Sequence, residues 1–532
     1  MVAAHVSGPS SVRAASSSAA ASESNEPPVQ LLSDGTMRVL QLNRPRVLNA
    51  INEEMIDIVR ESLDRIEASP DAGTVLFRGA GRAICAGGDI MTVVKLADSE
   101  KREDHDAALR FFAKELVEDY RIHKLHKTTS ALGHPKTFIG LWDGITMGGG
   151  VGMSVHAPVR IATERTLFAM PETAIGYTPD VGVMHTFARM DGETGTYLAL
   201  TGNHIGGADT YLTGLATHYV SSSVVQDLVQ RIAALPLESA SRREVVVQCI
   251  DEFASDPFEA DPAALQNSPF LGDRRIAMDL AFGRDTVEQI VLTLDDIAQR
   301  RSDSFTGKEM ARRGVPTISD TTAAWAKETH DTLLNRSPRA LKVSLRGIRC
   351  ARHETFVESM HSCLVATASF CDFSLGRDFH TGVFHMLSKD PATGKRRTGR
   401  PAWNPARLED VSDESVRNLF FCDAETAYRS GLQLRVPTLE GMPPLPRGRD
   451  ARRIRDAELR GIGPLHWQPK HNPHALPSEA ECAALADGSH PAAGSYVLEP
   501  EELIDTLARH KLYKPSLRLK VADWLDRRAR ST

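Results

Sequence analysis

Cysteine is scarce in this chain. Seven occur in 532 residues (Cys85, Cys249, Cys350, Cys363, Cys371, Cys422 and Cys482), and none forms a C-x-x-C pair. That spacing excludes a disulfide framework and a zinc knuckle, and it fits a reducing compartment. No apolar run approaches the roughly 18–20 residues that span a bilayer, so the sequence indicates no membrane segment. No charge of one sign predominates either. With 63 Lys and Arg against 69 Asp and Glu, the net charge of -6 argues against polyanion binding by the whole molecule and leaves local patches open. Residues 1–28 lack the apolar stretch of a secretory signal. Fifteen of the 28 are Ala or Ser, Arg13 is the one firm positive charge, and Glu23 and Glu26 close the segment. It reads as a mitochondrial transit segment or as a disordered tail.

What remains is an ordinary globular composition, 41% hydrophobic and 25% charged, long enough for two to four domains at roughly 100–200 residues each. Met37 to Leu42 alternates as a strand, and Asn43-Arg44-Pro45 turns the chain. Ile51, Met55, Ile58, Val59, Leu63 and Ile66 then recur at helical spacing. Short apolar runs at Thr74–Phe77, Thr137–Leu141, Val159–Ala162 and Leu167–Met170 read as buried strands. The order predicts an α/β domain with right-handed crossovers, and residues 323 to 383 read mostly as helix.

Two glycine-rich turns interrupt this pattern, Cys85-Ala86-Gly87-Gly88-Asp89 and Asp143-Gly144-Ile145-Thr146-Met147-Gly148-Gly149-Gly150-Val151-Gly152. Each follows a predicted strand, and the second opens a predicted helix. Neither carries a P-loop lysine or the G-x-G-x-x-G spacing of a nucleotide site. Alone, each is a tight connection. Side by side, they can aim two backbone N–H groups at one carbonyl oxygen. Beyond them, Glu172 and Asp180 lie eight residues apart in Met170-Pro171-Glu172-Thr173-Ala174-Ile175-Gly176-Tyr177-Thr178-Pro179-Asp180-Val181-Gly182. Apolar surroundings raise a carboxyl's pKa toward neutrality and suit it to acid–base work. The plain alternative is that Glu172 caps a turn and Asp180 starts a helix.

These blocks, with Leu42-Asn43-Arg44-Pro45, Ala199-Leu200-Thr201-Gly202, Ser337-Pro338 and Asp378-Phe379-His380-Thr381-Gly382, resemble the crotonase (enoyl-CoA hydratase/isomerase) superfamily. The likeness runs from about residue 29 to 421 and is strongest to its 3-hydroxyisobutyryl-CoA hydrolase branch. It implies an α/β spiral of ββα repeats over 29–320, a helical part over 321–421 and an additional Pro/Arg-rich, basic extension over 422–532. It also implies that the N–H groups of Gly88 and Gly149 form an oxyanion hole, and that Ala86 and Gly88 lie along the CoA. By the same resemblance, Glu172 is the catalytic carboxylate, as nucleophile or as general base, and Asp180 is its partner near the substrate hydroxyl. Asp119, in Glu118-Asp119-Tyr120, stands where the branch has Glu and is carried over as a substrate contact. A hydratase of the superfamily uses a second glutamate where this chain has Gly152; glycine cannot transfer a proton, so hydrolysis is expected instead.

The resemblance implies an acyl-CoA substrate, no metal and no separate cofactor, since CoA arrives with the substrate. It implies a mitochondrial setting and leaves the oligomeric state open. Some fungal relatives of the branch are associated with the small subunit of the mitochondrial ribosome. The arginines of the extension (Arg447, Arg449, Arg452, Arg453, Arg455, Arg460 and, at the far end, Arg527, Arg528, Arg530) read as a solvated face or as a docking surface for RNA or protein. Residues 501–532 read as one short amphipathic helix. The alternatives to a hydrolase are thus a ribosomal component and an atypical hydratase or isomerase.

Overall fold

The computed structural model describes residues 26–125, 133, 135–389, 394–421, 436–445, 474–494 and 497–531. The reading of residues 1–28 falls almost wholly outside them, as do Arg447 to Arg460.

Ten strands among the described residues form two sheets. In chain order they are β1 (Val29–Asp34), β2 (Met37–Leu42), β3 (Thr74–Gly79), β4 (Ala83–Ala86), β5 (Thr137–Trp142), β6 (Ile145–Met147), β7 (Val159–Ala162), β8 (Leu167–Ala169), β9 (Ile205–Gly206) and β10 (His218–Tyr219). The larger sheet runs β1-β2-β3-β5-β7-β10, parallel except for the edge strand β1, and the smaller runs β4-β6-β8-β9. Interior strands such as β5 and β7 are buried at every position, as expected when both faces are covered. The chain passes repeatedly from the larger sheet to the smaller, as β3 to β4, β5 to β6 and β7 to β8. The first two pairs each lead to a helix, α2 (Ile90–Ala97) and α4 (Gly149–Val155). The third leads instead into a single 3-10 turn at Glu172–Ile175. This is the expected spiral, with its regularity broken at Glu172.

Helix α1 (Glu53–Ala68) is capped by Asn52, whose side chain accepts the Met55 N–H at 3.0 Å, and buries Met55, Ile56, Val59, Leu63 and Ile66. Helix α3 (Arg102–Lys124) has no counterpart in the apolar periodicity. Its inward face includes Glu115, Glu118 and Asp119 among Phe111, Phe112, Leu116 and Ile122, so acidic residues stand where the pattern requires apolar ones. Beyond the strands, helices Pro338–Ala351, Phe356–Cys371 and Asp378–Leu387 return to the core. The second lies along α3, and the third packs on α2 and the Glu172 turn.

The described part of the C-terminal extension forms Glu479–Ala486, Pro500–His510 and Leu517–Ser531, so two helices stand where one was expected over 501–532. The last two are separated where Leu512, Tyr513 and Ser516 take left-handed backbone and Pro515 removes an N–H. Cys482, Leu485, Leu503, Leu507, Val521 and Trp524 join the apolar cluster that holds Phe168, Met184 and Phe187. Its terminal arginines are engaged within the chain. Arg527 meets Glu479 and Asp523 at 2.8 Å, Arg530 meets Asp273 at 2.8 Å, and Arg528 lies over the Trp524 ring.

Candidate active site

The two glycine turns meet. A Cβ on Gly148 would lie 2.9 Å from Gly87 Cα and 3.7 Å from Glu172 Oε1, so both turns and the Glu172 carboxyl converge on one point. The first turn is fixed from behind by Ile51, whose N–H donates to Gly87 O at 2.9 Å and whose carbonyl accepts from Asp89 N at 2.7 Å. Those bonds flank Gly88 and leave its N–H without an acceptor among the described residues. Gly149 is the first residue of α4, where an N–H has no intrahelical partner; its N–H is likewise free among the described residues. Ala86 ends β4 exposed to solvent, whereas Glu172 is buried. Strand β4 therefore carries Cys85 and Ala86, which the sequence reading gave to the turn. Burial pushes the Cys85 thiol up to about 12, and it stays protonated.

Glu172 follows β8 and begins the 3-10 turn, which ends at Gly176 in left-handed conformation (φ 73°). Asp378 backs that turn so closely that a Cβ on Gly176 would lie 2.2 Å from its carbonyl oxygen; one on Gly382 would lie 2.2 Å from Ile175 C. Thr173 Oγ1 donates to Leu200 O at 3.0 Å, and Ser337 Oγ donates to Asp378 Oδ2 at 2.6 Å. Asp180 precedes a five-residue helix, α5 (Val183–Phe187), without being part of it. Its Oδ2 accepts from Tyr177 Oη at 3.2 Å, and that hydroxyl lies 2.7 Å from Thr367 Oγ1. The Tyr177 ring is stacked on Phe112 and Phe379. Val181 next to it has φ 48°, rare for a β-branched residue, and His156 Nε2 lies 2.8 Å from its carbonyl oxygen. Burial lowers His156 to about 4; neutral, it donates to that oxygen and holds the bend.

Helix α3 covers the turns with one stripe of residues four apart. Phe111 Cζ would lie 3.2 Å from a Cβ on Gly88, Glu115 Oε1 2.1 Å from one on Gly149, and Asp119 Oδ2 2.6 Å from one on Gly152. A Cβ on Gly152 would also come within 2.5 Å of Val181 Cβ. Position 152 is thus closed to any side chain.

The pocket gathers Glu172, Asp180, Asp119 and Glu115, all buried. Both oxygens of Asp119, Glu172 Oε2 and Glu115 Oε1 have no hydrogen-bond partner among the described residues. Burial raises all four, and mutual repulsion raises three of them further: Asp180 bears on Glu172, Asp119 and Glu115. Asp180, moderated by the Tyr177 hydroxyl, reaches about 7, and Glu115 reaches about 8. The cluster therefore holds protons at neutral pH. A small cavity of about 30 Å³ borders Asp180, with Met184, Val343, Gly347, Cys363 and Phe421 among its walls. Glu115 is absent from the sequence reading; it becomes visible once residues 111, 115 and 119 are placed on one helix face. Among the described residues one trio offers metal-ligand atoms within 4.8 Å, Glu481, His490 and His510. Lys511 pairs with Glu481 Oε2 at 3.0 Å and Ala492 N donates to His490 Nδ1 at 3.0 Å, so one atom of each of these two side chains is engaged.

The enoyl-CoA hydratase/isomerase family profile matches residues 37–420, which include both glycine turns and all four clustered carboxyls. The chain belongs to the enoyl-CoA hydratase/isomerase family. Within the family it is 34% identical over 381 residues to the small ribosomal subunit protein mS47 of Neurospora crassa, covering 70% of this chain and 67% of that one. It is 32% identical over 395 residues to the mitochondrial 3-hydroxyisobutyryl-CoA hydrolase of Homo sapiens, covering 74% and 88%. A solved family structure, a carnitinyl-CoA dehydratase from Mycobacterium thermoresistibile, superposes with a TM-score of 0.59 at 27% identity over 78% of this chain and all of that one. The family fold, the likeness to the hydrolase branch and the helical C-terminal region are those expected from the sequence.

Proposed function

We propose that this chain is a mitochondrial hydrolase of 3-hydroxyacyl-CoA thioesters, 3-hydroxyisobutyryl-CoA first among them, releasing the hydroxy acid and CoA. One observation carries the reading. Two glycine turns abut beside the buried Glu172, while Asp119 and Val181 close the place on α4 where a hydratase carries its second glutamate.

In this mechanism the thioester lies inward from Ala86 with its carbonyl oxygen on the N–H groups of Gly88 and Gly149. A donor at such a position is worth roughly 10²–10³ in kcat. Glu172 acts from the junction of the turns. As general base it takes a proton from water while the hydroxide adds to the carbonyl carbon. As nucleophile it adds its own oxygen, and water later opens the anhydride. In either case the C–S bond breaks, and the thiolate takes a proton from the carboxyl cluster. Asp180, protonated near pH 7, serves as that acid or binds the 3-hydroxyl. Protons shared among four carboxyls let Glu172 ionise while its neighbours stay neutral.

Thiol release from 3-hydroxyisobutyryl-CoA, 3-hydroxypropionyl-CoA and crotonyl-CoA tests the reading on the wild type and Glu172→Gln. Release from the hydroxyacyl esters that falls at least 10²-fold in the variant is expected; release at the uncatalysed rate by the wild type overturns it. Single turnover in ¹⁸O water establishes a nucleophilic role if Glu172 acquires label, because label enters it only when it forms the anhydride and water attacks its own carboxyl carbon.

A second reading, a component of the mitochondrial small ribosomal subunit, is favoured by the likeness to the Neurospora protein. It is compatible with the first. Because the terminal arginines are paired internally, docking falls to Arg447–Arg460. Full-length protein with these arginines changed to Gln should lose co-sedimentation with small subunits; unchanged co-sedimentation argues against this docking route.

A further inference from the structure

We propose that Glu115 is a third donor of the oxyanion site, its carboxyl O–H directed at the substrate carbonyl oxygen alongside the N–H groups of Gly88 and Gly149. The inference rests on the hydrolase reading and extends it to a residue on a different element, α3.

Three observations support it. The first is placement. Glu115 Oε1 occupies the space of a Cβ on Gly149, so it lies one Cα away from the N–H that opens α4. Phe111 and Asp119, one turn to either side, meet Gly88 and Gly152; the stripe fixes Glu115 over the meeting point of the two turns. The second is satisfaction. Glu115 is 3% exposed, yet Oε1 has no hydrogen-bond partner among the described residues. A buried polar atom without a partner carries a penalty of about 1–3 kcal/mol, which an incoming ligand oxygen removes. The third is protonation. The titratable groups coupled to Glu115 are acidic: Asp180 before α5 raises it, and Glu115 in turn raises Glu172 on its turn, Asp119 on α3 and the Cys85 thiol on β4. Burial and Asp180 keep the carboxyl neutral up to about pH 8. A neutral carboxyl owns an O–H, and this one has no acceptor within the described protein. The proton stays on Glu115 throughout; it is lent as a hydrogen bond and not transferred.

The sign of the pH effect follows. Below pH 8 the O–H stabilises charge growing on the carbonyl oxygen. Above it, an ionised Glu115 opposes that charge, so turnover falls on the alkaline side. Glu115→Gln retains a donor and cannot ionise; Glu115→Met is similar in size and offers no donor.

The test measures kcat against pH for wild type and both variants with 3-hydroxyisobutyryl-CoA. It also records the carbonyl stretch of a bound ketone analogue in which CH₂ replaces the thioester sulfur. The Gln variant should keep most of the wild-type kcat and lose the decline centred near pH 8, leaving any that Asp180 sets near pH 7. The Met variant should lose roughly 10²-fold in kcat with little change in KM, and its bound analogue should show a higher-frequency carbonyl band than the wild type. A Met variant with wild-type kcat and band position overturns the proposal, as does a Gln variant that keeps the decline centred near pH 8. If Glu115→Met does not fold, the Gln profile decides alone. A wild type that shifts the analogue's band but releases no thiol defeats the hydrolase reading and leaves the donor standing. Turnover indifferent to both substitutions defeats the donor and leaves the hydrolase.

Discussion

Glu115, Asp119, Glu172 and Asp180 oppose folding in proportion to how far their pKa values rise on burial. A group whose folded pKa is raised binds more protons folded than unfolded, so stability falls as pH climbs from its unfolded value toward its folded one. For Glu115 that window runs from about pH 4.5 to about 8. Glu115→Gln and Asp119→Asn should therefore raise the thermal midpoint at pH 8 and leave it nearly unchanged at pH 4; equal midpoints at pH 8 would mean that the cluster is better solvated than its burial implies. Gly152 presents the reverse case. Gly152→Ala places a methyl 2.5 Å from Val181 Cβ, and overpacking of this kind destabilises by about 1–3 kcal/mol. Gly152→Glu should lower the midpoint further and produce no hydration of crotonyl-CoA, which product analysis can check. Gly88, Gly149, Glu172 and Asp180 could be singled out because their motifs are punctuated by Gly and Pro, and Asp119 only through the family resemblance; their convergence could not, since it is a property of how the turns stack.

At the scale of elements, legibility followed burial chemistry. β2, β3, β5, β7 and α1 present uninterrupted apolar runs or a clean helical stripe, and each can be read from residue types alone. α3 cannot, because three of its inward residues are acids. β4 and β6 escape because they are four and three residues long and lie within glycine motifs. The Glu172 turn depends on an element far away in the chain, the Asp378–Leu387 helix, which touches no reacting group. Gly382→Leu would drive that helix off Ile175. We expect kcat to fall at least tenfold while the KM for CoA ester changes little, since Ala86 and Gly88 lie on a different element. A change in KM alone would show that the helix supports binding and not the glutamate.

At the scale of the molecule, the extension is fastened to the core by ion pairs as well as by apolar contact. Glu479 meets Arg275 at 3.0 Å and Arg527 at 2.8 Å. Burial pushes its carboxyl up, yet these two arginines hold it down to about 2. A depressed carboxyl contributes stability that is present above its unfolded value near 4.5 and is lost as pH falls through 2. Glu479→Gln should accordingly flatten the acid side of a urea-midpoint profile between pH 5 and 2, and an unchanged profile would place the acid sensitivity elsewhere. The backing of Glu172 by residues 378–382 bears also on how the protein is made. Domains of a growing chain fold from the N-terminus as it emerges, and the spiral can close once β8 is out. The glutamate, however, gains its support only after some two hundred further residues have been added. A partly synthesised chain thus already carries both glycine turns while the turn that holds Glu172 still lacks its backing, so completion of the site waits on the Asp378–Leu387 helix.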